Sequence, residues 1–228
     1  MFVQMCVKGM RGTGSGRGDG ITLDDACAIM TQRGLVCSWW RNTRHITQAD
    51  IDARLTDQEL DLHVNSFDEI HPTRGGLVKD QTPFISLTAG QVERREYEAK
   101  NSTHPAQLTA LQFATDCGTL YGECFLFYCW VMVSMRPNVP VRHLAEEVRE
   151  LNTYTKFSWF QLEGEIAAKI EVPPRQIEKF EHYECRDRGD GLPEFRRFGT
   201  VPNDRLYVNP HNVTNYRPML HDRDWPGN

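Results

Sequence analysis

The chain has 228 residues, with 26 basic and 31 acidic side chains and a formal net charge of −5. At roughly 150 residues per domain this is one catalytic-sized domain with ragged ends. A hydrophobic fraction of 39% with 25% charged residues supports a packed core and argues against wholesale disorder. The acidic excess argues against nucleic acid as the main partner, although it leaves room for a local basic groove.

No apolar run followed by a small-residue cleavage site opens the chain, so a signal peptide is not expected. The most apolar run, residues 125–133, is too short to span a bilayer. These features lead us to expect a soluble chain made in the cytoplasm, and export as an effector is equally compatible. Residues 1–20 end in a stretch with glycine at every second position from Gly12 to Gly20. They read as a flexible lead-in and not as a phosphate loop, because no Lys-Ser or Lys-Thr follows the glycines.

Thr22 caps a short helix over residues 21–31, with acids in its first turn. Residues 34–41 predict a strand that carries Arg41 at its end. Residues 47–60 predict polar-faced helical turns, residues 61–80 a loop, and residues 83–87 a short strand. The charged stretch 90–104 predicts a solvated helix or loop. Pro105 opens a helix that runs to Asp116. Cys124–Ser134 lacks a polar face and predicts a central strand buried on both sides. Val141, Leu144, Val148 and Leu151 form a helical stripe. Strands are predicted over 163–169 and 177–183, joined through Pro173 and Pro174. Residues 21–184 thus form the expected domain, and 185–228 an irregular extension packed on it.

The seven cysteines lack a CxxC pair and are expected to be reduced core thiols. His45, His63, His71 and His104 lack metal-ligand spacing, and no metal is expected.

Together, the order of these pieces resembles the mono-ADP-ribosyltransferases of the arginine–serine–glutamate class, the cholera-toxin and heat-labile-enterotoxin group. The resemblance spans about residues 37–183. It is strongest at Leu162-Glu163-Gly164-Glu165-Ile166-Ala167 followed by Val172-Pro173-Pro174-Arg175-Gln176-Ile177. Trp40-Arg41 stands where the family has an arginine after an aromatic. Thr82-Pro83-Phe84-Ile85-Ser86-Leu87 stands at its hydroxyl-bearing strand, where Pro83 and Phe84 depart from the pattern. Either Thr82 or, with a slipped alignment, Ser86 then supplies the working hydroxyl.

The resemblance implies an α+β fold of two packed, mainly antiparallel sheets with flanking helices around an NAD cleft. It also implies transfer of ADP-ribose from NAD, a co-substrate, to a protein arginine with release of nicotinamide. Breaking the bond between nicotinamide and ribose develops positive charge on the sugar, which a carboxylate at Glu165 would stabilise. Arg41 would fork onto the phosphates, and Thr82 or Ser86 would hold Glu165 in its rotamer. Glu163, on the same strand face two residues away, would serve the incoming acceptor. Trp159 and Phe160 fall in the place of the family's substrate loop, where they would contact a protein acceptor. Two alternatives stay open: NAD hydrolysis or transfer to guanine in nucleic acid, and a catalytically silent protein-interaction module.

Overall fold

The computed structural model describes residues 1–14, 20–94, 101–116, 119, 121–134, 141, 143–148, 164–210 and 215–219; for 91–94 and 101–104 it describes the backbone alone. Strand β1 (Phe2–Arg11) lies beside the long strand β6 (Gly122–Val133), paired antiparallel from Phe2↔Val133 to Arg11↔Cys124. Residues 2–11 are therefore sheet and not the expected lead-in. Gln4 and Lys8 interrupt their apolar pattern, and both polar groups are accommodated only in the tertiary structure. Gln4 is fully buried and donates to the carbonyls of Met5, Arg217 and Pro218.

β1 separates two apolar cores. Phe2 and Cys6 face the larger one, whereas Met5 and Val7 face a smaller one under helix α5 (Ala106–Ala114). Gly9 permits that approach, since a Cβ there would sit 2.0 Å from the Ala110 carbonyl oxygen. β6 is buried on both faces, as its lack of a polar face predicts: Phe125, Phe127 and Cys129 point into the larger core, and Cys124, Leu126 and Tyr128 into the smaller.

Between β1 and α5 the chain forms α1 (Leu23–Ala28), β2 (Leu35–Val36), α2 (Ser38–Asn42), α3 (Gln48–Arg54), α4 (Asp57–Asn65), β3 (Phe84–Thr88) and a ribbon of β4 (Gln91–Arg94) with β5 (Asn101–His104). Thr22 and Thr47 close capping boxes at α1 and α3. Three expectations change here. Residues 34–41 form only a two-residue strand before turning into α2, the 61–80 stretch begins as the last turn of α4, and part of the charged 90–104 stretch is the β4–β5 ribbon.

After β6 come β7 (Leu144–Glu147), β8 (Glu165–Lys169), β9 (Glu171–Val172), β10 (Ile177–Asp187), β11 (Pro193–Pro202) and β12 (Tyr216–Arg217). The helix expected over 141–151 is replaced, within its described part, by β7. β7 pairs parallel with β6 and antiparallel with β8, and its buried Glu146 meets the buried ammonium of Lys169. That ion pair explains how an acid-rich segment tolerates burial. The extension beyond residue 185 is also more regular than expected: β11 pairs with β10 along nine register positions, and β12 docks parallel to β1.

The fold is thus α+β. Its eight-stranded sheet runs β11-β10-β6-β7-β8-β3-β1-β12, and the extra β6–β1 pairing closes β6, β7, β8, β3 and β1 into a ring. Pairing is antiparallel except for β1–β12 and β6–β7. The larger core gathers side chains of β1, β3, β6, β7, β8 and β10 with those of α1 to α4. Among the described residues no helix is long and apolar enough to cross a membrane. The six described cysteines are free thiols, five of them buried.

Candidate active site

A cavity of about 280 Å³ opens between β1, β3 and the segment from α1 to α2. Ile29, Leu35, Phe84 and Ile85 supply apolar wall; Lys8, Arg33, Arg41, His63, Thr82 and Ser86 bring polar groups to it. Its volume lies just below the range for ligand pockets, roughly 300–1,000 Å³.

Arg41 reaches this cavity from α2 and not from a strand end. It is exposed, and its guanidinium contacts the Ser38 hydroxyl at 3.3 Å. The more enclosed cation is Lys8, half-buried on β1. Among the described residues its ammonium makes no hydrogen bond or ion pair. Burial pushes the Lys8 pKa below its ordinary value, the Glu165 carboxylate pulls it back up, and the Arg41 guanidinium lowers it further. Arg41 and Glu165 thus both act on one amine at the cavity. The Cys37 thiol, also in the wall, is pushed up to about 11 by burial, which makes it a poor nucleophile.

Glu165 opens β8 directly opposite Thr88 on β3. Gly164 sets this start: its φ is +58°, and a Cβ would lie 2.5 Å from the Gly90 carbonyl oxygen. Only glycine lets the two strands approach so closely there. Glu165 is 6% exposed and stands one side chain behind the cavity wall. The side chain in front is His63 on α4, whose Nε2 lies 3.4 Å from Glu165 Oε1.

Both candidate hydroxyls converge on that imidazole and not directly on the carboxylate. Thr82 Oγ1 lies 2.9 Å from Nδ1 while accepting the Phe84 N–H at 3.2 Å. Ser86 Oγ lies 3.0 Å from Nε2. When Thr82 donates to Nδ1, the ring carries its proton on Nε2, facing Ser86 and Glu165. Both hydroxyls thus contact His63, which in turn faces Glu165.

His63 and Lys8 were not among the residues singled out as the site. The signal for His63 is its place on the buried stripe of α4 between Leu60 and Val64, where a polar side chain needs partners. For Lys8 the signal is alternation: Val3, Met5 and Val7 occupy one strand face, which puts the lysine on the other, enclosed face. Glu163, Trp159 and Phe160 lie outside the described residues.

No family model and no curated protein matches the sequence. Among solved structures, the chain is similar to EcPltA, with a TM-score of 0.48 and 11% identity over 97% of this chain and 95% of that one. It is also similar to a heat-labile enterotoxin double mutant, with a TM-score of 0.39 and 14% identity over 93% of this chain and 68% of that one.

Proposed function

We propose that the chain transfers ADP-ribose from NAD to an acceptor, an arginine side chain of a protein, and releases nicotinamide. The observation that carries this reading is an enclosed ammonium and an exposed guanidinium in the wall of one cavity, Lys8 and Arg41, with the Glu165 carboxylate one side chain behind that wall, against His63. A site for a dinucleotide with a scissile glycosidic bond needs these groups: cations for the phosphates and an anion for the developing charge on the sugar.

In this reading Lys8 takes the inner phosphate contact first given to Arg41, and Arg41 the outer one. The bond between ribose C1′ and the nicotinamide nitrogen breaks, and its electron pair leaves with nicotinamide. Glu165 accepts the ribose 2′-hydroxyl and stabilises the positive sugar, in the rotamer that His63, Thr82 and Ser86 hold. The acceptor nitrogen then bonds to C1′, and its proton passes to a carboxylate, for which Glu163 remains the nominee.

A second reading draws on the 6% exposure of Glu165: a catalytically silent chain that uses the cavity only to bind a nucleotide. One experiment separates the two. The protein is incubated with labelled NAD and a cell lysate while labelled macromolecules and free nicotinamide are both followed. Label that survives nuclease, is lost to protease and disappears in Glu165→Gln supports transfer. Nicotinamide release without a labelled acceptor indicates hydrolysis, nuclease-sensitive label indicates a nucleic-acid acceptor, and NAD binding without turnover supports the silent reading. Absence of NAD binding overturns the assignment.

A further inference from the structure

The two lips of the cavity differ in character. On one, Arg33 and Arg41 are exposed. The other is the turn after α4, where Phe67 lines the cavity at 40% exposure and Ile70 stands 72% exposed. Between them lie two exposed acids, Asp68 and Glu69. Asp68 pairs with Lys79 at 2.8 Å, whereas the Glu69 carboxylate has no partner among the described residues.

This second lip is held rigidly. The Glu69 N–H donates to Ser66 O, Val78 N–H to Glu69 O, Lys79 N–H to Phe67 O and His71 N–H to Gly76 O, at 2.8–3.0 Å. Buried His71 accepts the backbone N–H groups of Thr73 and Arg74 on Nδ1, and its Nε2 meets Glu59, which also holds Arg74. Two large apolar side chains are thus presented to solvent on a backbone that has little freedom left to lose. Such a surface is pre-organised for a partner, and its acids match a cationic one. Phe67 joins it to the cavity, its ring edge-on to His63 at 5.5 Å between centroids.

We propose that the Phe67–Ile70 turn is the docking lip for the acceptor. It would seat a protein segment in which an apolar side chain adjoins a cationic one, so that Ile70 covers the former and Glu69 faces the charge of the latter. The inference rests on the transferase reading for its consequence, but the docking itself is measurable without turnover.

The test uses the full chain and two short fluorescent peptides, each with one central arginine, flanked by leucines in one and by glycines in the other. Peptide binding by polarisation, transfer of labelled ADP-ribose and nicotinamide release are measured for the wild type, Ile70→Ser and Glu69→Lys, with folding checked by circular dichroism. We expect the wild type to prefer the leucine-flanked peptide. Ile70→Ser should abolish that preference, with binding weakened about tenfold, the size expected for losing most of one buried aliphatic contact. Glu69→Lys should weaken both peptides and restore binding when an aspartate is placed beside the arginine. Nicotinamide release without peptide should stay within about twofold of wild type in both variants, since neither residue lines the cavity. Unchanged peptide binding in both folded variants overturns the docking lip even if NAD is turned over. Ile70-dependent binding in a chain that never turns over NAD keeps the lip and overturns the transferase.

Discussion

Two buried glutamates of the same sheet, on β10 and β8, sit in contrasting surroundings. Glu181 on β10 is 3% exposed, and its carboxylate is saturated. Tyr128 and Tyr183 donate to one oxygen at 2.8 Å each, and Lys179 at 2.8 Å and Arg197 at 3.5 Å approach the other. Burial pushes its pKa up, but the hydrogen bonds from Lys179, Tyr183 and Tyr128 outweigh that and leave it lowered. Glu165 is buried to a similar degree with one imidazole at 3.4 Å and an ammonium acting on it electrostatically. The acceptor capacity of the Glu165 carboxylate is incompletely used among the described residues, as the proposed reading requires of a group that takes up a substrate hydroxyl. Saturation is a mark of structural use, and unfilled capacity beside a cavity is a mark of function.

Exchanging carboxylate for amide breaks this comparison most sharply. Glu165→Gln should lower nicotinamide release by about 10²–10³, the loss of roughly 2.7–4 kcal/mol of transition-state stabilisation, with little change in melting temperature. Steady-state kinetics beside a thermal melt reads both.

Next in size is Lys8→Met, which should raise KM for NAD by about 10–100-fold, in line with roughly 1.5–3 kcal/mol for a charge-assisted bond. It carries a second signature. A cation whose folded pKa is depressed penalises the native state fully below that pKa, and the penalty is relieved as pH rises toward the ordinary 10.5. Lys8→Met should therefore be more heat-stable than wild type at neutral pH, by a margin that shrinks toward pH 10.5. A margin that grows with pH would refute the burial of this amine.

Glu181→Gln should do the reverse of Glu165→Gln, costing about 1–3 kcal/mol of stability and leaving KM and kcat for NAD unchanged. The lowered folded pKa of Glu181 contributes stability above the ordinary carboxylate value of 4.5, and that contribution is lost as pH falls through the folded value. The melting difference should accordingly close in acid. Arg41→Ala should have the smallest effect, within about threefold on KM, because exposed charges contribute about 0–1 kcal/mol.

Much of the fold was legible in the sequence wherever a local pattern sufficed. The Thr22 cap of α1, the Pro105 start of α5, the two-sided burial of β6 and the strand carrying Ser86 and Leu87 all follow from a few consecutive residues. The placement of the candidate site residues was legible only in part. Glu165 lies on a strand paired with β3, whereas Arg41 lies on a helix and not at a strand end, and both hydroxyls contact His63. The errors share a cause. β1 was hidden by Gln4 and Lys8, β7 by its helix-like stripe and two acids, and His63 by its silence as a metal ligand. Each is a polar residue in an enclosed place, and its partner lies far away in sequence: Gln4 with the carbonyls near residue 217, Glu146 with Lys169, His63 with Thr82 and Ser86.

The sequence by itself determined the starts of α1 and α5, the central apolar strand and the acid-bearing strand that follows it, because periodicity and capping are satisfied within one or two turns of chain, while the α+β class came from the resemblance. The tertiary structure alone decided which charges meet. A buried polar group must find donors and acceptors wherever the fold brings them: β1 and β8 of the ring carry Lys8 and Glu165, and α4 sets His63 against Glu165, from positions more than fifty residues apart.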